Sequence, residues 1–320
     1  MFYKMRKNEF FIGIDIGGTN TTLGLVNHEG KILKKHFFST FADQPITLFL
    51  SNLEKIILQL VIEMKTVRGI GVGMPGINSK TGLVDKSVNF SWGNINLGRE
   101  LKNKFKLPVF IINDAKAAAL GEMAFGKARD LENFIMITLG TGLGSCFVFN
   151  RQVINGFKGM ASELGHTKIA NENRRCGCGK LGCLETFASA SGVCRSVFEI
   201  ISYDKKKTPL LNYSFNEMTA EIVTQYAAQG DETALKAYEK TGMILGEKLA
   251  DFINVFSPEA ILFSGGLVAA GKFLFEPMER AIAENLLFKD KIKTQIRISD
   301  PNVNYAVLGA ATLLMNRQER

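Results

Sequence analysis

The sequence predicts an α/β protein made of two related domains, and three observations carry that expectation. Apolar strand segments alternate with segments of helical period. The plan of apolar strand, Gly/Thr turn and apolar strand occurs at residues 11–25 and starts again at Phe134. The 320 residues, at about 150 per domain, leave room for two hydrophobic cores.

The elements follow in order. Residues 10–16 are β-formers that run into Gly17-Gly18-Thr19-Asn20; residues 21–26 return, and after Asn27-His28-Glu29-Gly30 a third strand at 31–38 completes a meander. Residues 46–64 carry apolar side chains at helical spacing, and 67–74 read as a buried strand. A short helix at 97–105, a strand at 108–112 and an Ala-rich helix at 115–125 come next. The pattern restarts with strands at 134–139 and 143–149 around Gly140-Thr141-Gly142. An irregular Gly- and Cys-rich segment spans 156–183. Helices are then expected at 190–201, 216–228 and 232–256, and a strand at 260–263 ends in Ser264-Gly265-Gly266. A helix at 273–287, a strand at 295–298 and a closing helix at 306–316 finish the chain.

Composition narrows the function classes. The 39 basic and 31 acidic residues give a net charge of +8, yet the basic residues are scattered. The densest run, Lys205-Lys206-Lys207, reads as a solvated loop, so no nucleic-acid partner is expected. The apolar stretch 10–14 stops at Asp15, too short for a signal-peptide core, and the uncharged run 133–150 is broken by Gly140, Gly142 and Gly144. No membrane partner is expected. Five cysteines without a signal peptide argue against a disulfide framework and for a cytoplasmic protein. Glycine is in excess, 31 residues with only 7 prolines, so the glycines belong to specific turns.

Three such turns follow apolar strands: Gly17-Gly18-Thr19, Gly140-Thr141-Gly142 and Gly265-Gly266. Singly, each reads as a plain hairpin turn. Together they suit a bound nucleotide, whose phosphates accept backbone N–H groups and threonine hydroxyls. Asp15 either stabilises its turn or holds Mg²⁺ through water. Asn113-Asp114 stands where a strand meets a helix; Asp114 is either the helix N-cap or a carboxylate at a ligand-binding sheet edge, placed to accept a hydroxyl proton. Cys176, Cys178 and Cys183 with His166 offer the four ligands of a structural zinc site, the alternative being free thiols. Cys146 and Cys194 read as small core residues. Glu163 and Glu185 flank the cysteine segment. Alone each is an ordinary surface carboxylate; held by a clamped loop, they suit sugar hydroxyls.

Taken together, these residues resemble the ROK family of repressors and sugar kinases, within the actin/hexokinase/Hsp70-like superfamily. The motifs are Ile14-Asp15-Ile16-Gly17-Gly18-Thr19-Asn20, Gly73-Met74-Pro75-Gly76, Asn113-Asp114-Ala115, Leu139-Gly140-Thr141-Gly142-Leu143-Gly144, Glu163-Leu164-Gly165-His166, Cys176-Gly177-Cys178-Gly179, Gly182-Cys183-Leu184-Glu185 and Ser264-Gly265-Gly266. The resemblance implies an α/β fold of two ribonuclease-H-like, actin-like ATPase lobes around a central cleft. The first lobe is expected at 1–114, with the helix at 305–320 a candidate to return to it. The second is expected at 115–304, with a zinc loop at 166–183.

By the same resemblance, Asp114 is the catalytic base, and Gly76, Asn113, Asp114, Glu163, His166 and Glu185 bind sugar. Asp15, Gly17, Gly18, Thr19, Asn20, Gly140, Thr141, Gly142, Gly265 and Gly266 bind ATP and its Mg²⁺. His166, Cys176, Cys178 and Cys183 hold Zn²⁺, with His166 also facing the sugar. The implied activity is ATP-dependent phosphorylation of a hexose, glucose at the 6-hydroxyl being the leading choice, by a homodimer. Fructose, mannose, allose and N-acetylhexosamines are the alternative sugars, and a non-catalytic sugar sensor is the alternative class. Many relatives carry Asn where this chain has Lys116, which either sits near the phosphates or faces solvent, the latter being expected. About nine residues precede Phe10, too few for the helix-turn-helix of the family's repressors.

Overall fold

The computed structural model describes residues 9–63, 67–78, 81–84, 90–92, 95–204, 207–288 and 293–315. Lys205 and Lys206 of the lysine run lie outside them, as do Met64, Asn316 and the rest of the expected closing segment to residue 320.

The meander forms as expected from β1 (Phe10–Ile16), β2 (Asn20–Asn27) and β3 (Ile32–Ser39), paired antiparallel. Helix α1 (Ile46–Glu63) crosses to β4 (Val67–Gly73), parallel to β1. A short ribbon of β5 (Leu83–Val84) and β6 (Ile95–Asn96) precedes α2 (Leu97–Phe105), and β7 (Val109–Ile112) joins parallel to β4. The sheet order is β3-β2-β1-β4-β7. Helix α3 (Asp114–Phe125) leads to β8 (Phe134–Leu139), β9 (Leu143–Phe149) and β10 (Gln152–Val153). After the cysteine segment come α4 (Ala190–Tyr203), α5 (Ala220–Ala228), α6 (Glu232–Phe256), β11 (Ala260–Ser264), α7 (Lys272–Asn285), β12 (Gln295–Ile298) and α8 (Tyr305–Met315). The second sheet reads β10-β9-β8-β11-β12. Counted within themselves, both sheets have the order third, second, first, fourth, fifth. The repeat seen at residue 134 is thus a repeat of topology.

The chain divides into two compact units. The first takes the described residues of Met1–Glu132, Cys146–Ser162 and Ser299–Arg320; the second takes Asn133–Ser145 and Glu163–Ile298. The division passes through β9. Helix α3 packs on α8 and lies in the first unit. Among the described residues no helix is long and apolar enough to cross a membrane.

Period-2 alternation sorts the faces of the first sheet. Ile12, Ile14, Leu23, Leu25, Ile70 and Val72 point into a core completed by Phe49, Leu53 and Ile57 of α1. On the other face Phe11 and Val26 meet Val307, Ala311 and Leu314 of α8. That face is otherwise floored by bare backbone: a Cβ on Gly13 would stand 2.1 Å from Val307 O, and one on Gly71 1.8 Å from Ala310 O. The glycine excess therefore serves packing as well as turns. Helix α8 then meets α3 in the same way, since a Cβ on Gly309 would stand 1.7 Å from Ala117 O.

No rotamer change can absorb a methyl group aimed at backbone, so Gly309→Ala must push α8 and α3 apart. The substitution is expected to destabilise the first unit by about 3 kcal/mol. A urea unfolding curve reads this as a lower midpoint; an unchanged midpoint would contradict the close packing.

Candidate functional site

In the first unit the ends of three parallel strands gather the expected residues. Asp15 is in register with Gly73, and Gly73 with Ile112, so Asp15, the Pro75-Gly76 turn and Asn113-Asp114 leave the sheet along one edge. Two strand spacings, about 10 Å of sheet, separate β1 from β7. The C-terminal edge of parallel strands is where open α/β sheets bind ligands. Gly76 is exposed at φ +65°. Asp114 lies over β4: a Cβ on Gly73 would be 3.6 Å from Asp114 Cα.

The cap of α3 is Asn113, whose side chain accepts the Lys116 N–H at 3.2 Å. This corrects the local reading of Asp114 as N-cap. Asp114 is the first helical residue, because Asn113 has the extended backbone that a cap requires. A second correction concerns Lys116. It is 2% exposed, not solvent-facing. Its Nζ donates to Asn155 Oδ1 at 3.3 Å and Gly159 O at 3.0 Å, and those two bonds offset the loss of water around the ammonium.

The turn after β1 exposes Gly18, Thr19 and Asn20, with Gly17 half-buried. It is closed by Gly17 N–H to Asn20 O at 2.9 Å. Thr40 braces it from β3's far end: its N–H donates to Thr19 O at 2.8 Å and its hydroxyl to Gly17 O at 2.8 Å. Asp15 shares the face of β1 on which α8 lies. There Asn304, which caps α8 by accepting the Val307 N–H at 2.9 Å, donates its amide to Asp15 Oδ2 at 3.2 Å. Neither Thr40 nor Asn304 stands out in the sequence. An Asn before an apolar helix is a cap signal, but nothing local points across 289 residues to Asp15. Glu122, at the other end of α3, is fully buried and accepts the Ser299 hydroxyl and, at 2.7 Å, the Lys127 N–H.

In the second unit, Gly140-Thr141-Gly142 follows β8 and meets the start of α4. Ala190 N–H donates to Gly140 O at 2.8 Å and the Ser191 hydroxyl to Thr141 O at 2.7 Å. Gly265, at φ +98°, follows β11, which pairs Ser264 with Thr138 of β8. A Cβ there would stand 2.3 Å from Leu139 O, so these two glycine turns are neighbours on one sheet edge, with Gly266 beside them. Glu185 joins the first of them: a Cβ on Gly142 would be 2.9 Å from Glu185 Oε2.

His166, Cys176, Cys178 and Cys183 come together, with one donor atom from each lying within 4.8 Å of the others. Cys178 and Cys183 sulfurs are 3.6 Å apart, and Cys176 Sγ is 3.8 Å from His166 Nδ1. A tetrahedral ion with bonds of about 2.3 Å spaces its ligands by about 3.8 Å, so the donor set fits a four-coordinate metal. Glu185 adjoins it, 2.9 Å from Cys176 Sγ and 3.5 Å from His166 Nδ1. Burial, with the Glu185 carboxylate alongside, pushes the Cys176 thiol up. Glu163 is exposed and precedes the short turn Leu164–His166, accepting the His166 N–H on its carbonyl at 3.1 Å. Cys146 and Cys194 are core thiols, pushed by burial up to about 12 and about 11.

Arg174, two residues before Cys176, escaped the sequence reading. It is buried and clamps the cysteine segment to α4. Nε donates to Glu199 Oε1 at 2.7 Å, Nη2 to Glu199 Oε2 at 2.5 Å and Ser196 Oγ at 2.9 Å, and Nη1 to Thr186 O at 2.7 Å and Gly192 O at 3.2 Å. Its guanidinium also stacks 3.9 Å over the Phe187 ring. Burial would raise the Glu199 carboxyl, but Arg174 and Lys240 outweigh it and hold it below the ordinary value. Because Thr186 adjoins Glu185, the clamp also fixes Glu185.

The ROK family model matches residues 11–317. The glucokinase of Halalkalibacterium halodurans is 33% identical over 318 residues, covering 97% of this chain and 96% of that one. A ROK family glucokinase from Streptomyces griseus, solved with glucose and AMPPNP, superposes with a TM-score of 0.81 at 28% identity, over 95% of this chain and 98% of that one. A ROK family transcriptional regulator, a homolog of the E. coli MLC protein, superposes at 0.84 with 29% identity, over 96% of this chain and 78% of that one.

At Asp15 burial acts against stability. Desolvation raises its carboxyl above the ordinary 3.8, and the Asn304 amide offsets only part of this. A raised folded-state value means that ionised Asp15 costs stability at neutral pH, and that the cost fades as pH falls through the raised value toward 3.8. In magnesium-free buffer, Asp15→Asn is expected to raise the thermal midpoint at neutral pH, with a gain that shrinks in acid. A midpoint equal to or below wild type at neutral pH would contradict it.

Proposed function

The chain belongs to the ROK family, and from that membership we propose that it transfers the γ-phosphoryl group of ATP to a hexose, with glucose the preferred acceptor and its 6-hydroxyl the attacking group. One observation carries the catalytic reading. Asn113 caps α3 and Asp114 is its first residue, which sets Asp114 at the C-terminal edge of the first sheet, where open α/β sheets bind ligands. Likeness to glucokinases, one of them solved with glucose and AMPPNP, supports the choice of sugar.

Asp114 accepts the 6-hydroxyl proton as that oxygen attacks the γ-phosphorus; the bond to the bridging oxygen breaks and ADP leaves. The amide of Asn113, the Gly76 backbone, Glu163, His166 and Glu185 hold the other hydroxyls. Gly17, Gly18, Thr19, Asn20, Gly140, Thr141 and Gly142 present N–H groups and hydroxyls to the phosphates, where charge grows in the transition state. Gly265 and Gly266 take the adenosine. A half-buried carboxylate with an amide for a partner suits a cation, and Asp15 would hold Mg²⁺ through water, where the ion would offset phosphate charge.

The four-donor cluster is read as a structural zinc site, closed and without a ligand position for substrate. Its work is to fix His166 and the neighbouring Glu185. A cytoplasmic setting, where thiols stay reduced, suits such a site. The family resemblance points to a homodimer. The likeness to a transcriptional regulator favours a sugar sensor as the second reading, and Asp114 with its three glycine turns speaks for turnover instead.

Metal analysis of the purified chain is expected to find about one zinc per chain, falling sharply in Cys178→Ser. Metal-free wild type with full activity would refute the site. ADP release measured over a panel of hexoses with Mg-ATP should be fastest on glucose. Asp114→Asn is expected to lower kcat by about a thousandfold or more while calorimetry still detects glucose binding. No turnover on any hexose, with sugar still bound, would favour the sensor.

A further inference from the structure

Lys116 has no part in the reaction just described, and its burial needs a reason. A desolvated ammonium persists only where hydrogen bonds compensate it. The two acceptors already named, Asn155 Oδ1 and Gly159 O, belong to one short loop after β10. That loop is a tight turn. Asn155 O accepts the Ala161 N–H at 3.1 Å, and Gly156 and Gly159 adopt φ of +67° and +81°. Apolar burial does little to hold it, since Phe157 is 90% exposed and Met160 56%. At its far end Ser162, a non-glycine residue at φ +78°, accepts the Phe147 N–H on its hydroxyl at 3.1 Å. The next residue is Glu163.

We propose that Lys116 is a positioning residue for sugar binding. Its ammonium clamps the loop 155–159 to the first turn of α3, the turn that begins with Asp114. The clamp thereby orders the backbone leading into Glu163 before the sugar arrives. The inference rests on the kinase reading and deepens it by separating a group that serves sugar affinity from those that serve phosphoryl transfer. A loop ordered in advance loses less freedom on binding, so the benefit falls on hexose affinity.

Lys116→Met keeps the apolar stem and removes the ammonium. Hydrogen exchange of the amides of residues 157–161 is expected to quicken. Glucose Kd and KM should rise about tenfold, while kcat and the KM for ATP stay within about twofold. Asn155→Ala, an exposed change that removes one acceptor, should move the same quantities the same way by less. Asn155→Asp, which offers the ammonium a carboxylate, should keep loop exchange at or below the wild-type rate. Unchanged exchange and glucose affinity in Lys116→Met would overturn the proposal, as would a fall in kcat at constant KM. Should Lys116→Met fail to fold, the opposed Asn155 pair decides: equal exchange in Asn155→Ala and Asn155→Asp overturns it. A wild-type chain that phosphorylates no hexose sinks the kinase reading instead, and loop exchange then judges the clamp by itself.

Discussion

The first unit depends on one contact: α8 lying directly on the backbone of β1 and β4. Two strands present glycine where neighbours on the opposite face present isoleucine and valine, so the helix comes closer than any side chain would allow. Two placements at the sheet edge follow from that approach. The N-terminus of α8 arrives beside β1, which brings the Asn304 amide to Asp15. The body of α8 bears on α3 through Gly309, and so fixes the helix whose first residue is Asp114.

Around that frame, buried polar side chains work as struts. Arg174 satisfies its donors on Glu199, Ser196 and two carbonyls, and Glu122 joins the end of α3 to Ser299. Such groups are costly when half-paired and stiff when fully paired. Arg174 touches the carbonyl next to Glu185, and the half-buried Asn304 touches Asp15. Stiffness of this kind beside Glu185 and Asp15 suits the ligand roles proposed for them.

Most elements were legible because their signal is local. Residues 97–105, 134–139, 143–149, 232–256 and 295–298 fall where periodicity puts them. The misses have physical causes. Helix α5 starts at Ala220 rather than 216, because Glu217 bonds back to Ser214 and Thr219 takes the cap. Strand β10 went unseen because its turn uses Asn150 and Arg151 at positive φ instead of glycine. Lys116 was misread because a charged residue on an Ala-rich helix carries no mark of burial, and its acceptors lie 39 and 43 residues away.

The sequence by itself determined most of the strands and helices, their repetition, the glycine turns, the four metal-ligand candidates and the family they resemble, because each is written in neighbouring residues. Only the tertiary structure decided that Asn113 and not Asp114 caps α3, that Asn304 holds Asp15, that Arg174 braces the cysteine segment and that Lys116 is buried. Apart from the cap, a choice between two adjacent residues, those are pairings between distant points of the chain. A hydrogen bond is set by where folding brings its donor and acceptor, and no local spacing encodes that.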